Sequence, residues 1–183
     1  MNRLLQRLLG REGAPAGSVG ALHSDEHVLA SAALIGGGHL VATSHGLWFP
    51  DGEGPRFVGW HVVSKAAWQG GAIVLVEAVE EESLEGVVIL ADQPPRRLGL
   101  AEPGRVPKVV HERVTGSIRS RHHRDLPGGA DAAAAGATSG GAWFVQRKIA
   151  GRDGFVLQVR PDPGTDPALV RRFAAEVGKQ LPS

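Results

Sequence analysis

The chain has 183 residues, with 20 Lys and Arg against 19 Asp and Glu, 42% apolar residues and no cysteine. The missing cysteines exclude disulfides, thiolate metal sites, cysteine nucleophiles and thiol redox chemistry. A formal net charge of +1 argues against a dedicated nucleic-acid binder. With 26 Gly and 12 Pro, the expectation is a turn-rich, strand-dominated domain rather than a helical bundle.

Residues 1–11 read as a short amphipathic helix. Leu4, Leu5, Leu8 and Leu9 share one face, while Arg3, Arg7 and Arg11 share another. Such a segment suits docking to a partner groove or an anionic membrane surface. Arg3 and Arg7 interrupt any signal-peptide apolar region. No segment approaches the roughly 20 apolar residues of a membrane span. The expected location is therefore cytoplasmic, with peripheral contact at the inner membrane surface as a variant. Glu12 to Ser24 reads as a linker.

From His27 the texture is short strands. Val28–Ile35, His39–Ser44, Leu47–Phe49, Arg56–Trp60, Ser64–Gln69, Ile73–Val79, Val87–Ala91 and Arg96–Leu100 are separated by turn signals. Among these signals, Pro50-Asp51-Gly52 and Gly70-Gly71 have a backbone reason to turn. The run Glu80-Glu81-Glu82, with Glu85, is expected as an acidic tip between two strands. The period then changes. Val106, Val109, Val110 and Val114 have helical spacing within Pro103–Thr115. Ser117–Arg124 returns to strand, and Leu126–Gly141 reads as a loop, disordered at Asp131–Gly140. Trp143–Ile149 and Phe155–Arg160 form a hairpin. Asp166 as N-cap and Pro167 at N1 open a last helix with the stripe Leu169, Val170, Phe173, Val177 and Leu181.

The fold class expected is α+β, mainly antiparallel β. The domains are a segment 1–24, a barrel with helix over 25–115, and a β-meander with an amphipathic helix over 116–183. That last part is either packed on the barrel or a small second unit. Two stretches, His39–Phe49 and Phe57–Trp68 followed by Ile73–Glu77, resemble the opening strands of bacterial pleckstrin-homology-like (PH-like) domains. The chain is also similar to an uncharacterised actinobacterial family, in keeping with its having only four lysines. The resemblance implies a PH-like barrel closed by a helix. It further implies binding of a peptide, a protein partner or a phosphoinositide-type headgroup rather than catalysis.

Searches for chemistry are negative. There is no Gly-x-Ser-x-Gly elbow, no Gly-x-Gly-x-x-Gly loop and no phosphate-binding Gly-x-x-x-x-Gly-Lys-Ser/Thr. His122 and His123 point to opposite faces of a strand, and His23 and His27 fall in a loop, so no metal site and no cofactor are expected. An enzyme would need a cleft where His111, His123 and an acid converge.

Charge is uneven along the chain. Glu77, Glu80, Glu81, Glu82, Glu85 and Asp92 form a block with no base, of net charge −6. Gln93–Arg124 holds eight bases against two acids, a net +6. Alternation puts Arg119, Arg121 and His123 on one strand face, and with Arg124 they are the candidate contact for an anionic lipid headgroup or a protein partner. The opposed blocks suit contacts within the fold or between two copies, a homodimer included. The function expected is a non-catalytic binding or scaffold module. The alternative is docking through residues 1–11, and a small-ligand enzyme ranks third.

Overall fold

The computed structural model describes residues 13–126 and 140–180. Among these residues eleven strands and two α-helices follow in order: β1 (Val28–Ala33), β2 (His39–Thr43), β3 (Gly46–Asp51), β4 (Gly54–Gly59), β5 (Val63–Gln69), β6 (Ala72–Leu84), β7 (Val87–Asp92), β8 (Arg96–Gly99), α1 (Val106–Gly116), β9 (Ile118–Leu126), β10 (Gly140–Lys148), β11 (Phe155–Pro161) and α2 (Pro167–Gly178). The architecture is α+β, mainly antiparallel, and one sheet curls into a half-barrel. The chain divides into two compact units. The first holds residues up to Glu77 with Pro94–Ser117 and Ile149–Arg152; the second holds Ala78–Gln93, Ile118–Lys148 and the chain from Asp153 onward.

In the first unit β1 to β4 form an antiparallel meander, and the first half of β6 pairs with β5 and β8. Gly70 and Gly71 both take positive φ between β5 and β6, the backbone that a two-residue hairpin requires. Leu40, Leu47, Phe49, Ile73 and Leu75 are buried together with the four valines of α1. Helical spacing thus reaches the same core as strand alternation. Glu26 is buried on the opposite face of these strands, beside Thr43 and Trp48. It accepts hydrogen bonds from the Thr43 hydroxyl at 2.6 Å and the Trp48 indole at 3.0 Å.

In the second unit five strands lie in the order β6 (second half), β7, β11, β10, β9. All pairs are antiparallel except β7 with β11, where Leu157 lies opposite Val87. Val87, Ile89, Phe144, Leu157 and Val159 form one face, covered by Leu169, Val170 and Ala174 of α2. The Asp166 side chain accepts from Ala168 N at 2.9 Å and caps that helix. Leu181, the last position of the expected stripe, lies outside the described residues.

The acidic tip expected at Glu80–Glu82 is corrected. These residues belong to β6, with a bulge between Glu80 and Glu82, and the turn is Glu85-Gly86, both at positive φ. The strand runs on because Leu84 pairs with Val87 across the turn and packs on the α2 core. Two of the acids are also neutralised. Glu77 takes a two-pronged contact from Arg56, and Glu82 pairs with Arg171 at 2.6 Å. Gly140 and Gly141, expected in a loop, open β10, while the rest of that loop falls outside the described residues.

Candidate functional site

β9 ends the second unit's sheet. It pairs with β10, and no strand covers its other edge among the described residues. Arg119, Arg121 and His122–Asp125 are exposed along it. Register assigns the faces. Arg124 lies opposite Ala142 and His122 opposite Phe144, both on the face that carries α2. Arg121 lies opposite Val145 and His123 opposite Trp143, on the reverse face.

A bulge then breaks the alternation. Ser120 lies opposite Gln146, but Ile118 lies opposite Arg147, so Arg119 is an extra residue. Its guanidinium lies 4.5 Å from the centre of the Phe155 ring. That of Arg121 lies 4.8 Å from the centre of Trp143. Phe155 pairs with Lys148 and Trp143 with Arg160, at opposite ends of the β10–β11 ladder. The side chains therefore diverge: Arg121 and His123 share a face, Arg119 reaches the other way, and Arg124 projects from the α2 side.

His123 is the most constrained member. Its Nε2 is 2.7 Å from the Asp162 carboxylate, and its ring meets Trp143 edge-on at 5.1 Å. The Asp162 N–H donates to the Gly141 carbonyl, and the Thr165 hydroxyl bridges both backbone groups of Gly141. A Cβ at Gly141 would collide with the Asp162 carboxylate and the His123 ring, so the close approach requires glycine.

Behind this edge, on the face of Arg121, stand Arg147 of β10 and Arg160 of β11. Arg147 is 2% exposed. Burial, then the nearby charges of Arg160 and Arg121, pull its guanidinium pKa down to about 10, against the pull of Asp92. Burial also lowers Arg160, again opposed by Asp92. Asp92 lies 3.7 Å from Arg160 and offsets part of this charge.

The remaining expected residues fall elsewhere. His111 is exposed on α1 of the first unit. Leu4, Leu5, Leu8, Leu9, Arg3 and Arg7 lie outside the described residues. Sequence spacing missed one cluster. His23, Asp25, His45 and His61 line a pocket of about 250 Å³ in the first unit, with His45 Nε2 3.1 Å from Asp25. These residues come from three separated segments, which leaves no motif to find. Among the described residues no group of three or more His, Asp or Glu is arranged to hold a metal ion. No helix among them is long and apolar enough to cross a membrane.

No family model, no curated protein and no solved structure matches the chain.

Proposed function

We propose that the protein is a binding module that takes an extended acidic polypeptide segment as an added strand along β9. The observation that carries this reading is the splay of cations over both faces of an edge that no strand covers among the described residues. A headgroup or single phosphate needs cations that converge on one point. A strand laid beside β9 projects its side chains to both faces, where Arg121 and His123 wait on one and Arg124 on the other. Exposed Trp143 and Phe155 add apolar contact at the two ends of the ladder. The first unit is, in the same proposal, a PH-like barrel: its antiparallel strands followed by α1, with the helix valines in the strand core, support that reading.

The test is calorimetric titration of a ten-residue peptide of Glu-Glu-Val repeats, which carries Glu on both faces of a strand, against its Gln version, with amide shifts read on β9. Binding of the Glu peptide alone, weakened by salt and lost in an Arg121→Glu/Arg124→Glu double variant, is expected. Equal binding of both peptides, or unshifted β9 amides, overturns the proposal. So does flotation with anionic vesicles in the absence of peptide binding, which assigns the edge to lipid.

A further inference from the structure

The five strands of the second unit end in two edges of opposite charge. One is β9. The other is residues 78–84 of β6, which pair with β7 on one side and with no strand on the other among the described residues. Glu80, Glu81 and Ser83 are exposed there. Glu80 lies opposite Leu90 and Glu82 opposite Ile89, so carboxylates project to both faces of this edge as cations do at β9. We infer that β6 of a second copy is an acidic strand that adds to β9. The inference rests on the reading of β9 above and names its partner.

Strand direction supports the match. Taking β9 as running up, β10 runs down, β11 and β7 run up, and β6 runs down. Repeating the sheet with α2 kept on the same face therefore sets β9 against β6 of the next copy in antiparallel fashion. That is the arrangement with the straighter hydrogen bonds. A register with Arg121 opposite Glu80 sets Ser120 opposite Glu81 and brings Arg119, the bulged residue of β9, to Glu82, which Arg171 of its own copy also contacts. Joining β9 to β9 instead faces arginines with arginines, and joining β6 to β6 faces glutamates with glutamates. Like charges directly opposite are destabilising, so both symmetric pairings are disfavoured. The contact is head-to-tail, which leaves one β9 and one β6 free in any pair of copies.

Sedimentation velocity of the full chain tests this. The wild type is expected to self-associate reversibly at about 50 mM salt and to dissociate at about 500 mM, where screening is short-ranged. Arg119→Glu/Arg121→Glu and Glu80→Lys/Glu81→Lys should each weaken self-association by about tenfold or more. Mixed one to one, they should recover self-association, with the two variants alternating along the assembly. The intact β9 of one variant meets the intact β6 of the other, and the two reversed edges are again opposite in charge, whereas within either variant alone the edges repel. A wild type that stays monomeric, a variant that associates as the wild type does, or a mixture that stays monomeric overturns the inference. Where a reversed variant fails to fold, Arg121→Gln and Glu80→Gln carry the same comparison. The Glu80→Lys/Glu81→Lys variant keeps β9 intact and should still bind the Glu peptide. Peptide binding without self-association defeats this inference alone, and loss of both defeats the reading of β9 as well.

Discussion

Removing the Glu26 carboxylate tests how the first unit is held. Glu26 is 7% exposed and accepts from the Thr43 hydroxyl, the Trp48 indole and, at 3.2 Å, the His23 N–H. In Glu26→Ala the Thr43 hydroxyl still reaches the Gly46 carbonyl at 3.1 Å. His23 is an exposed residue, so its N–H is expected to find water in the variant. The Trp48 indole is the group left unpaired, at a cost of about 1–3 kcal/mol, and losing the charge-assisted Thr43 bond adds about 1 kcal/mol. The expected loss is therefore about 2–4 kcal/mol. Glu26→Gln keeps an acceptor without the charge and should lose about 1 kcal/mol. Burial alone would raise the Glu26 pKa, but the bonds from Thr43, Trp48 and the His23 backbone, with the field of His45, outweigh it and hold the pKa below 4.5. A carboxyl depressed in the folded state stabilises above its unfolded pKa, and that contribution is lost as pH falls through the folded value. The gap between wild type and Glu26→Gln should thus be full at pH 7 and shrink below about pH 4.5. Urea unfolding followed by the fluorescence of Trp48 and Trp60 measures both. A loss below about 0.5 kcal/mol in Glu26→Ala, or parallel pH profiles for wild type and Glu26→Gln, refutes the reasoning.

Three further outcomes are expected. Asp166→Ala removes the side-chain acceptor at the start of α2 and should lower the stability of the second unit by about 1 kcal/mol in thermal or urea unfolding. Gly141→Ala forces a methyl into the Asp162 carboxylate and the His123 ring; it should shift the His123 and Trp143 side-chain resonances and weaken Glu-peptide binding, and unchanged spectra count against the packing described. Arg147→Gln removes a buried cation behind Arg121 and should weaken Glu-peptide binding by about two- to fivefold without altering the Gln control, an effect read by calorimetry and abolished at about 1 M salt.

Local signals carried most of the element order. The valines of α1 and the Asp166-Pro167 opening of α2 act within one or two turns, so spacing alone places them. The Gly70-Gly71 hairpin is local as well. What spacing could not reach depends on partners. The bulge at Arg119 exists only because β10 advances one residue from Gln146 to Arg147 while β9 advances two. No pattern inside Ser117–Arg124 records that offset, so alternation placed Arg119 beside Arg121. The acidic run was read as a tip because charge and glycine usually mark turns. Its place in β6 is set by Leu84 finding Val87 and the α2 core. The parallel pair of β7 with β11 joins residues some seventy positions apart, and it is this pair that draws Ala78–Gln93 into the second unit.

The basic edge answers two questions with the same side chains. A free strand edge invites pairing, and cations along it repel a second basic edge and make a neutral one desolvate charge without return. Those cations also lower the free energy of an acidic strand in the same position, since each opposed pair contributes about 0.2–1 kcal/mol. Protection and recognition are therefore one interaction seen with partners of different sign. What separates them is whether the backbone edge is used. If Arg121 and Arg124 serve protection alone, replacing them with Thr exposes β9 to self-pairing and aggregation, and the wild type ignores the Glu peptide. If they also recognise, the Glu peptide protects the outward-facing β9 amides from hydrogen exchange, because an added strand occupies them. An anion that touched only the guanidiniums would leave those amides exchanging freely, so amide protection, rather than affinity, decides between a charged surface and a strand-binding site.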